Sequence, residues 1–403
     1  MTTPKNLILI IGILTGCQNK TPYEPTNETN LSKNIHLASR FPAKTDAQVD
    51  FINKHYDYVT TPVLKDEIRE QVQGPKLFLH RSIQGTWTNF DHFDWAHIDT
   101  HENMFCHHNG NRIITIWNSW LMDGSDLVDP SEPDALNHWI NYYAVTASEQ
   151  VHNFNYDGLF IDSASHRLVR STVYELMPDD YSDENWRDSR YTALEFIKFY
   201  FSDKTVTFNG LHSGNGAEHS LALTDGGMWE GFAFKDGEYY VGEEQWKEVI
   251  ELAERNNEEK IISIVSKKYH LTSDIQARMF VLASYLLVSN QNVLLTMIDL
   301  NYDQLESIYY YPEYEINLGI PLGSYTIKDN TIYERKFEKG IVLVNPSSIE
   351  SYTYSLDKEY NKVVPEGGGV LQEDGTCKGS LTYEAVNNEI VLPPISGVVL
   401  INR

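Results

Sequence analysis

The sequence predicts an α/β protein, a (β/α)8 or TIM barrel followed by a small C-terminal antiparallel β-sandwich. Three observations predict it. Between residues 33 and 325 short apolar runs alternate with amphipathic ones, which is the pattern of β/α units. About eight of those runs are strand-like, the number that closes a barrel. From residue 331 to 403 strands follow one another with no helix between them. A chain of 403 residues is long enough for one barrel and an accessory domain.

The first unit is Asn34–Ala38 as a strand and Asp46–His55 as a helix. Tyr56–Thr60 and a helix near Lys65–Val72 make the second, and Lys76–His80 is the third strand. Ile83–Trp120 gives no clear element, apart from Ile113–Ile116 as an extra strand in an extended loop. The run Asp129-Pro130-Ser131-Glu132-Pro133 announces a helix from Glu132 to about Asn153. Tyr156–Ser163 then reads as a buried strand, because it is apolar and bounded by carboxylates. Side-chain alternation sends Leu159 and Ile161 to one face, and Gly158, Phe160 and Asp162 to the other. Next come a helix near Asp183–Phe201, strands at Thr205–Phe208 and Gly227–Glu230, and a helix over Glu243–Asn256. Strand Ile261–Val265, helix Ser273–Ser289 and strand Val293–Thr296 complete the series. Past it, Gly340–Pro346, Tyr352–Leu356 and Gly397–Ile401 carry the β-branched and aromatic character of the sandwich.

The amino terminus reads as a targeting segment. Lys5 precedes the apolar run Leu7–Leu14, too short to span a bilayer as a mature helix but suited to a signal peptide core. That run ends Leu14-Thr15-Gly16-Cys17, which resembles a bacterial lipoprotein lipobox. The resemblance implies a signal peptide over residues 1–17, lipidation of Cys17 and a destination in the cell envelope, at the outer membrane or cell surface. Residues 18–32 are polar and helix-poor, as a tether is. A formal charge of -25 argues against nucleic acid and anionic membranes as partners, so the lipid anchor is the one membrane contact expected. No spacing argues that Cys106 and Cys377 pair, and the sequence is silent on oligomeric state.

Two carboxylates stand where strands end. At the carboxyl end of a barrel strand Asp162 faces the chemistry, and Glu230 closes the similar run Gly226–Glu230 far enough along for both to reach one mouth. Hydrolysis of a glycosidic bond uses such a pair, one group donating a proton and the other acting as nucleophile or as base for water. The expected roles are Asp162 as nucleophile or base, ionised, and Glu230 as general acid with a raised pKa. Asp157 and Asp225, in Asp-Gly contexts, read as turn residues at the beginnings of the same strands. Expected around a sugar are His80, His101, Trp117, Asn209, His212 and Trp229. His97 and His101 share metal-ligand spacing, yet the His-Glu-x-x-His pattern is missing, and neither metal nor cofactor is expected.

At these residues the chain resembles a known family. Asp157-Gly158-Leu159-Phe160-Ile161-Asp162, Leu127–Ser131, Asn209-Gly210 and Trp229-Glu230-Gly231-Phe232 are similar to the hypothetical glycosyl hydrolase family fifteen, relatives of the endo-α-1,4-polygalactosaminidase barrels. The similarity continues through His101–Phe105 and Pro312–Gly319. It implies a barrel with a C-terminal β-domain, an α-linked poly- or oligosaccharide as substrate, and a catalytic Asp/Glu pair matching Asp162 and Glu230. The chain departs from the pattern in carrying Ser163-Ala164-Ser165-His166 after the Asp. Two other functions fit the composition: a surface carbohydrate-binding barrel without catalysis, and a metal-dependent polysaccharide deacetylase using the His-rich loop.

Overall fold

The computed structural model describes residues 33–88, 93–167, 176–214, 216–235, 237, 239–303 and 305–403. The leader, the tether and Cys17 lie outside the described residues, as do His92 and Asn215. Eight parallel strands close a barrel in chain order. They are β1 (His36–Arg40), β2 (Tyr58–Thr61), β3 (Lys76–Ser82), β4 (Gly158–Asp162), β5 (Thr205–Asn209), β6 (Gly226–Glu230), β7 (Ile261–Lys268) and β8 (Val293–Asp299).

Alternation builds the two surfaces of this cylinder. Leu77 and Leu79, Leu159 and Ile161, Val206 and Phe208, and Ile262 and Ile264 join the main hydrophobic core between strands and helices. Their neighbours point to the barrel interior, where Tyr58 stacks on Phe78 at 5.1 Å and His80 meets Phe160 edge-on at 5.2 Å. Among the described residues seven α-helices of six or more residues connect the strands, α1 (Asp46–His55), α2 (Asp66–Gln71), α3 (Trp139–Asn153), α4 (Asp183–Tyr200), α5 (Ala217–Ala222), α6 (Glu243–Asn256) and α7 (Ile275–Val288), and a shorter one, Trp95–Asp99, lies in the loop after β3. Thr45, Ser182 and Asp274 cap α1, α4 and α7 by accepting from Gln48, Asn185 and Ala277 backbone N–H groups at 3.2, 3.1 and 3.0 Å.

Two local expectations are corrected. The helix expected from Glu132 starts at Trp139, because Asp126 in the preceding loop accepts the Trp139 N–H at 2.6 Å and bonds the His138 ring at 2.6 Å. A carboxylate distant in sequence thus caps it, and Ala135–Asn137 is a separate 3-10 turn. Ile113–Ile116 forms no regular strand: Ile114 makes an isolated antiparallel bridge to Trp120, and the chain turns at Ile116–Trp117. There Thr115 Oγ1 bonds the Ser119 hydroxyl at 2.7 Å, while Gly85-Thr86 pairs with Trp120-Leu121 beside it.

No α-helix follows β8 among the described residues, and the last wall is supplied by the C-terminal strands. These are β9 (Thr326–Lys328), β10 (Ile332–Phe337), β11 (Gly340–Asn345), β12 (Tyr352–Ser355), β13 (Tyr360–Gly367), β14 (Gly379–Val386), β15 (Glu389–Leu392) and β16 (Ser396–Asn402). The six-stranded sheet has the order β9-β10-β11-β16-β13-β14, and β12 pairs with β15. Alternation gives the sheet two buried faces. Ile341, Leu343, Val398 and Leu400 pack toward Tyr352, Tyr354 and Ile390 of the two-stranded sheet, whereas Val342, Val344 and Val399 join the main core.

Helix α7 is buried on every side, as its apolar sequence requires of a helix held between two layers. The sheet approaches it closely: a Cβ at Gly397 would lie 2.5 Å from that of Ala283. Arg278 on α7 and Glu313 are both fully buried and bidentate, with Nε–Oε1 at 2.7 Å and Nη2–Oε2 at 2.5 Å. Arg278 Nη1 also donates to the carbonyls of Thr272 and Gly367, at 2.8 and 2.7 Å, tying the barrel to β13. Four of the five guanidinium protons and both carboxylate oxygens are thereby engaged, which is how charge is kept in a dry interior.

Candidate active site

Strands β4 and β6 end on Asp162 and Glu230, and β5 between them ends on Asn209. All three side chains turn into the barrel mouth. The Asn209 amide nitrogen donates to Asp162 Oδ1 at 3.0 Å and to Glu230 Oε2 at 2.8 Å. Those two oxygens are therefore separated by at most the sum of the two distances, about 6 Å. Carboxyl pairs about 5–5.5 Å apart go with retention at the anomeric centre, and pairs about 6.5–9.5 Å apart with inversion.

Neighbouring strands complete the site. From β3, His80 Nε2 lies 3.2 Å from Asp162 Oδ2. Ser163 adopts the left-handed region with φ 55°, which turns its N–H back onto Asp162 Oδ1 at 2.8 Å. A non-glycine residue held there stores strain, and strain of this kind gathers at functional sites. From β7, Lys267 forms an ion pair with Glu230 Oε1. His212, on the 3-10 turn Leu211–Ser213 that follows β5, has its Nδ1 buried with no hydrogen-bond partner among the described residues, and Asn209 Oδ1 is likewise buried without one. Orphaned buried atoms on residues of a strand-end cluster call for an explanation beyond packing.

Electrostatics sharpen the assignment. Burial pushes the Asp162 carboxyl up, but the hydrogen bond and charge of His80, the Asn209 amide and the Ser163 N–H together hold it well below the ordinary range. This direction favours the carboxylate form of Asp162. Glu230 corrects the expectation of a raised pKa. Burial pushes it up and the Asp162 charge adds to that, yet Lys267, through charge and hydrogen bond, and Asn209 leave it below its ordinary value. For His212 burial lowers the ring's pKa; the Glu230 and Asp162 charges oppose this and those of Lys235 and Lys267 assist it.

The other expected sugar contacts divide. Trp229 is corrected: it is 1% exposed and points away from Glu230 into the core between strand and helix, so its ring offers no face to a sugar. Trp117 is 51% exposed on the long loop after β3. His101 bonds the His97 carbonyl through Nδ1 at 2.7 Å, and its ring packs on that of His97 at 4.4 Å. His97 in turn bonds the Leu136 carbonyl at 2.9 Å, so this pair organises a loop. His107 pairs with Glu102 and His108 with Asp179. Among the described residues no group of three or more His, Cys, Asp or Glu side chains is placed to hold a metal ion. Cys106 and Cys377 are both free thiols.

Sequence reasoning missed Lys267, because the strand expected to end at Val265 runs on to Lys268. The trace was present in the alternation Ser263, Val265, Lys267, which places the lysine on the side of the strand that Glu230 takes in β6. A cavity of about 280 Å³ lies elsewhere, outside the barrel wall. Its lining of Tyr310, Pro312, Glu315, Cys377, Gly379, Ser380 and Leu381 includes none of the strand-end residues.

A family model described as hypothetical glycosyl hydrolase family 15 matches residues 80–341, a span that holds every candidate site residue from His80 to Lys267. No curated protein matches the chain. Among solved structures, the glycoside hydrolase domain of PelA from Pseudomonas aeruginosa is similar at 15% identity and a TM-score of 0.44, over 68% of this chain and 96% of that one. A noncanonic maltogenic α-amylase, AmyB from Thermotoga neapolitana, is 11% identical with a TM-score of 0.48, over 91% of this chain and 98% of that one. The α-galactosidase I of Mortierella vinacea is 6% identical with a TM-score of 0.43, over 93% of this chain and 98% of that one. At such identities they say nothing about substrate.

Proposed function

The chain belongs to hypothetical glycosyl hydrolase family 15, and from that premise we propose that it hydrolyses an α-linked poly- or oligosaccharide with Asp162 and Glu230 as the catalytic pair. One observation carries this reading: a single amide nitrogen, that of Asn209, hydrogen-bonds both carboxylates. The shared donor brings one oxygen of each carboxylate to within about 6 Å of the other across the mouth, a bound that accommodates the spacing of a retaining pair. In the first step an Asp162 oxygen bonds to the anomeric carbon while the bond to the departing sugar breaks, and Glu230 passes its proton to the departing oxygen. In the second, Glu230 takes a proton from water as that water displaces Asp162 from the anomeric carbon. His80 orients Asp162. Asn209 spaces the pair, and Trp117, His101 and His212 are proposed to contact the sugar.

The test replaces each acid with its amide, Asp162→Asn and Glu230→Gln, and assays a panel of α-linked oligosaccharides with the product anomer read by NMR. Turnover retained by both variants removes the assignment. Glycan binding that survives both changes, with no product from the wild-type protein, makes this a carbohydrate-binding barrel instead.

We also propose that the protein is held at the bacterial cell envelope by a lipid on Cys17, on the strength of the apolar run that closes on Leu14-Thr15-Gly16-Cys17. Cys17→Ser should release it from the membrane fraction. A variant that stays membrane-bound speaks against the anchor.

A further inference from the structure

Both oxygens of Glu230 are engaged in the sugar-free site. Asn209 holds Oε2 at 2.8 Å and the Lys267 ammonium holds Oε1. An ammonium has donors and no acceptor, so a proton on Oε1 and Lys267 beside it exclude each other. The fold supplies this lysine on purpose-built geometry. Glu230 is in register with Val265 on β7, and β7 runs on past the end of β6, so Lys267 stands one step higher on the same side and reaches back. Lys268 next to it takes the opposite side and pairs with Asp274 at 3.0 Å, which is an architectural contact at the start of α7. Lys267 is also within reach of a sugar, with 22% of its side chain exposed.

We propose that Lys267 is a positioning residue that decides when Glu230 carries its proton. This rests on the reading of Glu230 as the group that protonates the departing oxygen. With no sugar bound, the ion pair keeps Glu230 a carboxylate. A docking sugar takes the ammonium onto its own hydroxyl oxygens and frees Oε1, and the proton Glu230 then gains comes from solvent. The charged and titratable groups around Glu230 are Asp162 from β4, with His80 from β3 behind it, His212 after β5 and Lys267 from β7, while Lys235 after β6 acts on the His212 ring. Of these, Lys267 alone is hydrogen-bonded to it. Removing the lysine leaves burial and the Asp162 charge, which push the carboxyl up, opposed by the Asn209 hydrogen bond.

The experiment is a 13C-NMR titration of the Glu230 carboxyl in the sugar-free full chain, for wild type, Lys267→Met and Lys267→Arg, with His212→Gln as a control on the neighbouring ring. The methionine variant should move the Glu230 midpoint up by about 1–3 pH units, and arginine should restore most of the original value. The alkaline limb of the pH profile of kcat/KM, measured on whichever α-linked oligosaccharide the wild type cleaves, should move with it. A folded Lys267→Met protein whose Glu230 midpoint stays at the wild-type value overturns the inference. The titration needs no substrate, so it judges Lys267 even if the amide variants of Asp162 and Glu230 were to keep their turnover and the hydrolase reading failed.

Discussion

Strands β4 and β6 each begin and end beside an acid, and the two ends use it differently. At the amino end, Asp157 accepts the Leu77 N–H of β3 at 2.8 Å and pairs with Arg69, while Asp225 accepts the Val206 N–H of β5 at 2.7 Å and pairs with Lys198. Asp57 does the same for Leu37 of β1, at 2.7 Å, with Lys33 as its cation. Each of these carboxylates satisfies a backbone donor that a strand start leaves open, so each seals a seam of the cylinder. At the carboxyl end, Asp162 and Glu230 share one amide between them, with two orphaned buried atoms alongside. The difference teaches that carboxylates bound to main-chain donors hold a barrel shut, whereas carboxylates bound mainly to other side chains are poised to exchange partners.

Exchanging the two ends by mutation is the severest test of that contrast. Glu230→Gln should lower turnover by about 10³-fold with the fold intact, whereas Asp225→Asn on the same strand should leave turnover of the folded protein unchanged. Equal losses at both ends would erase the distinction. Next in size, Asn209→Ala should lower turnover by about 10²-fold, because it removes the spacer between the acids; single-turnover kinetics on the cleaved oligosaccharide reads this directly. At the sealing end, Asp157→Asn and Asp225→Asn should each cost about 0.5–1.5 kcal/mol of stability in urea unfolding, because the amide oxygen still accepts the backbone N–H while the charge assistance and a partly exposed ion pair are lost. Trp117→Ala, a loop ring outside both ends, should weaken sugar binding by only about 0.5–1.5 kcal/mol, read as KM.

The mildest effect concerns pH. Burial pushes Asp57 up, and His36 and Lys33 bring it below the ordinary carboxylate range; Asp162 is held low in its own way. A depressed folded pKa contributes stability that is present above the unfolded value and is lost as pH falls toward the folded one. Thermal midpoints followed through acid should therefore decline, and Asp57→Asn or Asp162→Asn should each flatten part of that decline. An acid limb identical to wild type in both variants would show that neither group is held as described.

Much of this molecule is legible along the chain, and particular residues show why. Thr45, Ser182 and Asp274 lie next to the turns they cap, so their helices could be read locally. The start of α3 could not, because its cap, Asp126, arrives from a loop thirteen residues earlier. Trp229 reads equally well as core or as sugar platform in sequence, and only the direction of β6 in the closed barrel resolves it. By itself the sequence determined the order of the eight barrel strands and of their helices except α5, the buried faces and the carboxylate at the end of each of two strands, since periodicity and strand polarity are local properties. The Asn209 bridge, the Lys267 ion pair and the lowered pKa of Glu230 came only from the tertiary structure. They depend on which strand ends become neighbours when eight strands close a ring, and on how far one strand outruns the next.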